Sequence, residues 1–157
     1  MNFCGKFEYS LPLQKLYLER STIMNNFLKR FDSVYFNIGR ALLGTYFLVP
    51  GIMKIVNYSG TLELMLNKGV PFAAILLPLT TALQIGLGLM LIIGKNTRIN
   101  ALLFFGMTLL INFYIHNFWD LQGDPSFGHE LQNFVKNLGI AAGLLVLAGS
   151  AERRTKS

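Results

Sequence analysis

Cysteine occurs once, at Cys4. A single thiol excludes an intrachain disulfide and any cysteine-based metal cage. No C-x-x-C-H run is present to attach a haem covalently. The GKNTR turn at 94–98 has no glycine-rich lead-in ending in GK[ST], so it is not a P-loop. Dinucleotide-binding, kinase, nucleophile-elbow and zinc-protease signatures are missing too. Charge is scarce, at 14% of residues against 52% hydrophobic. A soluble domain of 157 residues would carry more charge on its surface. The formal charge of +6 forms no basic stripe alternating with aromatics, which argues against a nucleic-acid partner. The basic residues sit at the ends of apolar blocks, where they set membrane topology. The blocks hold no paired acids of the kind a proton-coupled transporter would use.

What the chain has is long apolar runs. Val70 to Ile93 spans 24 residues without a charged side chain. As a helix it is about 36 Å long, enough to cross a hydrocarbon core of roughly 30 Å with some tilt. Three more blocks resemble it, at about Tyr35–Val56, Ile99–Phe118 and Phe134–Ala151. The expected fold is all-α, a polytopic membrane protein with a compact four-helix bundle. The expected organisation is an N-terminal cytoplasmic segment at 1–33, a membrane domain at 34–151 and a basic cytoplasmic tail at 152–157.

Met1 to Arg30 mixes Leu11, Leu13, Leu16 and Leu18 with Lys15, Glu19 and Arg20. Such a segment can lie on the membrane as a short amphipathic helix. It lacks the order of a signal peptide. Met24 offers a second start, so the first 23 residues are either extra sequence or a cytoplasmic extension. Residues 57–69 read as a linker with one surface turn or a shallow re-entrant piece. Pro71 suits the first turn of the second span, and the internal Pro50 and Pro78 bend their helices. Gly44, Gly86, Gly88 and the Gly139/Gly143 pair leave room for neighbouring helices.

With both termini cytoplasmic, the inner side holds Arg40, Lys95, Arg98, Arg153, Arg154, Lys156 and the basic residues of the N-terminal segment. The outer side holds Lys54, Lys68 and Lys136 with Asp120, Asp124 and Glu130. This satisfies the positive-inside bias. The inverted arrangement would expose the GKNTR turn and the basic tail.

Three polar positions inside the spans are candidates for ligand binding: Arg40, Gln84 and His116. Arg40 lies about one turn into the first span, where it can snorkel to headgroups or hold an anionic group. Lys54, near the other end, can snorkel likewise. Gln84 is central in the second span, where an amide needs a partner. It serves as a bond between helices or as a ligand contact. His116 lies near the outer interface beside Trp119, and in a helix it shares a face with Asn112. It reads as an interfacial hydrogen bonder, or as a proton or quinone contact. A haem would need a second histidine at similar depth, and His129 falls in the loop. Asp120, Asp124, His129 and Glu130 match no metal-ligand spacing, so no metal is expected.

The runs RALLG at 40–44 and GIMK at 51–54 resemble the opening of the DoxX family of small four-helix membrane proteins. The likeness continues through KGVP at 68–71, GLGLMLIIG at 86–94, Thr97-Arg98, HNFW at 116–119 and KNLGIAAG at 136–143. It covers about Phe36 to Gly149. Many members carry a glutamate where this chain has Gln84, and an amide does not titrate. The resemblance implies a bacterial inner-membrane protein. Some relatives are membrane-bound partners in thiosulfate:quinone oxidoreduction, and others belong to membrane responses to oxidative or thiol stress. It therefore implies an accessory subunit of a redox system, in contact with quinone and a soluble oxidoreductase or another membrane subunit. It implies a subunit rather than a complete enzyme, with no catalytic residue assigned. The alternatives are a non-enzymatic assembly or stress-response factor and, third, a small-molecule transporter. Membrane lipids are the obligatory partners, and a homo-oligomer is compatible with the sequence.

Overall fold

The computed structural model describes residues 11–155. Cys4 and Lys156 lie outside them. Six α-helices follow in order: α1 (Leu11–Lys29), α2 (Asp32–Val56), α3 (Tyr58–Asn67), α4 (Ala73–Ile93), α5 (Thr97–Tyr114) and α6 (Phe127–Thr155). A short 3₁₀ turn, Phe118–Asp120, precedes α6. No strand occurs among the described residues. Among the described residues, four helices are long and apolar enough to cross a membrane: α2, α4, α5 with its 3₁₀ extension, and α6. The protein is an all-α bundle of four membrane spans.

The chain divides into two compact units, 1–37 and 38–157. In the first, α1 leaves nearly every described side chain exposed, from Leu13 to Arg30. Phe27 and Phe31 meet edge to face at 5.4 Å, and Phe31 and Tyr35 lie 6.1 Å apart.

In the second unit, burial follows helical periodicity. Ala101, Phe104, Thr108 and Asn112 form the inner stripe of α5, and Asn137, Ala141, Leu144 and Ala148 that of α6. Along these stripes α5 and α6 pack extensively on each other. Phe47 of α2 stacks on Phe104 with ring centroids 3.9 Å apart. Lipid tails are as apolar as these side chains, so close packing and interhelical hydrogen bonds hold the bundle together.

Glycines set the α2–α4 crossing. A Cβ on Gly44 would lie 2.7 Å from the Gly88 carbonyl oxygen, and one on Gly51 would lie 2.9 Å from Gln84 Cβ. Gly44 and Gly88 thus pack as expected. Gly86, Gly139 and Gly143 do not, since a Cβ on any of them would meet nothing within 4 Å. Their faces turn away from the bundle's own helices.

The loops differ from expectation in three places. Residues 58–67 form a ten-residue helix packed on α4, not a single turn. Pro71 precedes α4, because Phe72 takes a left-handed φ of 51° and delays the helix to Ala73. The third span ends as an α-helix at Tyr114, and α6 begins seven residues before the predicted Phe134. His116 is therefore outside the helix, and helical spacing does not set its relation to Asn112.

Candidate functional site

The bundle has a short-turn end, at residues 94–96, and a long-loop end, at residues 57–72 and 115–126. Gly94 closes the short-turn end with φ of 85°, a left-handed cap that L side chains rarely adopt. Arg40 reaches the same cap. Its guanidinium donates to the Leu91 carbonyl, and a Cβ on Gly94 would collide with it. A cation at the negative end of α4 is favourable. Arg40 thus sits at the short-turn end, away from the cavity described next.

A cavity of about 640 Å³ occupies the long-loop half of the bundle. Its walls come from the second half of α2, the first half of α4, the end of α5 and the start of α6, with Leu64 and Met65 of α3 covering it. The lining is mainly apolar. Lys54, His116 and Lys136 are its charged or titratable cationic residues, and no aspartate or glutamate among the described residues lines it. Gln84 and His116 both line the cavity, whereas Arg40 does not.

Lys54 departs most from its sequence reading. Its ammonium donates to Gln84 Oε1 at 2.8 Å instead of reaching a headgroup. The cause is architectural. Gly51 packs on Gln84, so the last turn of α2 lies beside the middle of α4. Gln84 is eleven residues into α4, about 16 Å from its start at 1.5 Å per residue. Helix α3 also packs on α4. Lys54 is therefore at the level of the span's interior although it stands near the end of its helix.

A second polar chain crosses the bundle. Tyr46 Oη donates to Asn137 Oδ1 at 3.1 Å, Asn137 Nδ2 to Asn112 Oδ1 at 2.9 Å, and Asn112 Nδ2 to the Phe134 carbonyl at 3.0 Å. It ties α2, α5 and α6 together. Asn112 is 1% exposed, so its amide needs both bonds. Among the described residues, no side-chain nitrogen or oxygen shut off from both solvent and cavity lacks a partner.

At the rim, His116 Nδ1 donates to Glu130 Oε2 at 2.6 Å. Glu130 stands in the first turn of α6, where the helix dipole favours an anion. Lys68 Nζ donates to Asn117 Oδ1 at 3.0 Å, and Asn117 Nδ2 to Asp120 Oδ2 at 2.8 Å. These contacts pin the 115–120 segment to α3 and α6. Asp124 Oδ1 accepts from the Ser126 hydroxyl and backbone N–H, which holds its carboxyl below the usual aspartate range. Phe113, Phe118, Trp119 and Phe134 form an aromatic cluster here. His129 lies in the first turn of α6 and not in a loop. Among the described residues no group of three or more His, Cys, Asp and Glu side chains could hold a metal ion.

From sequence alone, Lys54 reads as a boundary marker, and Tyr46, Asn112 and Asn137 do not stand out as a network. The sequence holds one usable signal: polar residues at 112 and 137 fall on otherwise apolar stripes, and two such residues on adjacent helices can satisfy each other.

A bundle of four spans around a mainly apolar cavity defines a small integral membrane protein. The DoxX family model matches residues 36–117, just over half of the chain. Inner membrane protein YqjF of Escherichia coli (strain K12) is 37% identical over 122 residues, which cover 77% of this chain and 87% of that protein. Inner membrane protein YphA of the same organism is 30% identical over 128 residues, covering 78% of this chain and 91% of that protein. No solved structure matches. The chain belongs to the DoxX family and is a multi-pass inner-membrane protein.

Proposed function

We propose that this protein is an accessory subunit of a membrane redox system, and that its cavity holds a quinone-type ligand beside a soluble oxidoreductase partner. The observation that carries the reading is the cavity itself. Its volume falls in the usual range for small-molecule sites, about 300–1,000 Å³. Its apolar walls suit a ring and chain delivered from the bilayer. Lys54 and Gln84 lie at one level, so their N–H donors are available to a carbonyl oxygen of such a ring, and His116 stands at the rim. A bound quinone would supply two-electron redox chemistry. The protein's part is to orient it and to exclude water.

In this reading Gln84 and His116 keep ligand roles. The Glu130 carboxylate fixes the hydrogen of His116 on Nδ1, which leaves the Nε2 lone pair to accept from a ligand hydroxyl such as that of a quinol. Arg40 serves α4 instead. Both termini are cytoplasmic in the proposed orientation, so the cavity lies in the outer half of the membrane. An oxidoreductase partner would then approach the loops at 57–72 and 115–126.

Gentle detergent purification followed by mass spectrometry of copurified lipids, quinones and proteins tests the proposal. Quinone retention that survives washing and falls on cavity filling by Met107→Trp is the expected result. A preparation that never carries quinone, and a chain that takes up none when it is supplied, favours the assembly-factor alternative.

A further inference from the structure

We propose that the cavity seats the head of its ligand as an oxyanion, on Lys54 Nζ and Gln84 Nε2 together, and so selects an acidic amphiphile over its neutral counterpart. The inference rests on the cavity being the site of a membrane-soluble ligand, and it adds the charge of that ligand.

The reason is an imbalance of donors and charge. Gln84 is 3% exposed, and its Oε1 already accepts from Lys54. Its Nε2 hydrogens have no acceptor among the described residues. Lys54 uses one of its three N–H donors on that amide and pairs with no carboxylate among the described residues. Thr80 and Thr108 do not compete as donors, because their hydroxyls donate to carbonyls of their own helices. Lys136 also lines the cavity and has no hydrogen-bond or ion-pair partner among the described residues. The site therefore presents unspent N–H donors and uncompensated positive charge to an apolar space.

An ammonium at this depth is costly unless an anion or a strong acceptor joins it. Asn137 is engaged on both sides of its amide, accepting from the Tyr46 hydroxyl and donating to Asn112. A ligand oxyanion would accept from Lys54 and from Gln84 Nε2 at once, and charge-assisted bonds of that kind are the strong ones. The apolar walls take the rest of the molecule. Two sources share this chemistry: a long-chain carboxylate and a quinone-type ring bearing an ionised hydroxyl.

The test uses the full chain in nanodiscs of neutral phosphatidylcholine and measures binding of two matched pairs. One pair is dodecanoate and dodecanol. The other is an alkyl hydroxynaphthoquinone, ionised at neutral pH, and its methyl ether. The anionic member of at least one pair should bind about tenfold or more tightly than its neutral partner. Lys54→Gln should remove the preference and Lys54→Arg should keep it. Gln84→Glu should also remove it, because the protein then supplies the counter-charge. Equal binding within both pairs, or a preference that survives Lys54→Gln, overturns the inference. Failure of Lys54→Gln to fold leaves the arginine and Gln84→Glu variants to decide. Preference within the carboxylate pair alone, with neither naphthoquinone bound, ends the quinone reading and upholds this one. Preference within the naphthoquinone pair supports both.

Discussion

Lys54 Nζ donates to Gln84 Oε1 at 2.8 Å and joins the end of α2 to the middle of α4. The bond is possible because Gly51, three residues before Lys54, packs directly on Gln84. Gln84→Leu would leave the ammonium in an apolar cavity without its acceptor. We predict a loss of about 1–3 kcal/mol in resistance to SDS unfolding, the cost of stranding a buried polar group. The double variant Lys54→Met/Gln84→Leu should lose less than the sum of the single changes, because neither partner is then stranded. Strict additivity would show that the bond does not couple the helices.

The glycines separate into two groups with opposite expectations. Gly44→Ala, Gly51→Ala and Gly88→Ala each place a Cβ within about 3 Å of a neighbouring helix. Overpacking should destabilise each by about 1–3 kcal/mol. Gly86→Ala, Gly139→Ala and Gly143→Ala meet nothing and should stay within about 0.5 kcal/mol of the parent, or gain slightly from helix propensity. A comparable loss in both groups would contradict the crossing described for α2 and α4.

The asparagine chain should behave as a unit. Asn112→Leu strands Asn137 Nδ2 and should cost about 1–3 kcal/mol in the same unfolding assay. Tyr46→Phe removes one bond at the edge of the chain, and its cost should be near the average of about 0.6 kcal/mol for interhelical bonds in membranes. A Tyr46→Phe loss exceeding that of Asn112→Leu would reverse this order.

Much of the fold was readable in the sequence because bilayer thickness imposes a length on apolar runs. All four spans fall where hydropathy puts them. The rest depended on relationships between helices. Nothing around Lys54 signals that α2 ends beside the middle of α4, so a lysine near a span end reads as a snorkelling anchor. Phe72 carries no mark of its positive φ, and the start of α4 moves with it. Gly139 and Gly143 have the spacing of a packing face but no partner helix meets it. Of the three candidate residues, Gln84 and His116 converge on one cavity and Arg40 caps the far end of α4. Position along the span gave the depth of Gln84 and misled for Lys54, and it did not show convergence.

The orientation of the bundle is open to direct measurement. Reporter fusions after Gly60 and Gly123 should give periplasmic signals, and those after Thr97 and the C terminus cytoplasmic ones. A cytoplasmic signal at Gly123 would sink the proposed orientation and place the cavity in the inner half of the membrane.

Photolabelling with a photoreactive quinone analogue, in membranes and with peptide mapping, bears most directly on the cavity as a quinone-type site. Label should concentrate on Leu64, Met65 and the 107–111 stretch of α5. It should fall when unlabelled quinone is added and when Met107→Trp fills the space. Label spread evenly over lipid-facing positions such as Leu145 and Val146, and indifferent to competitor, would contradict the account.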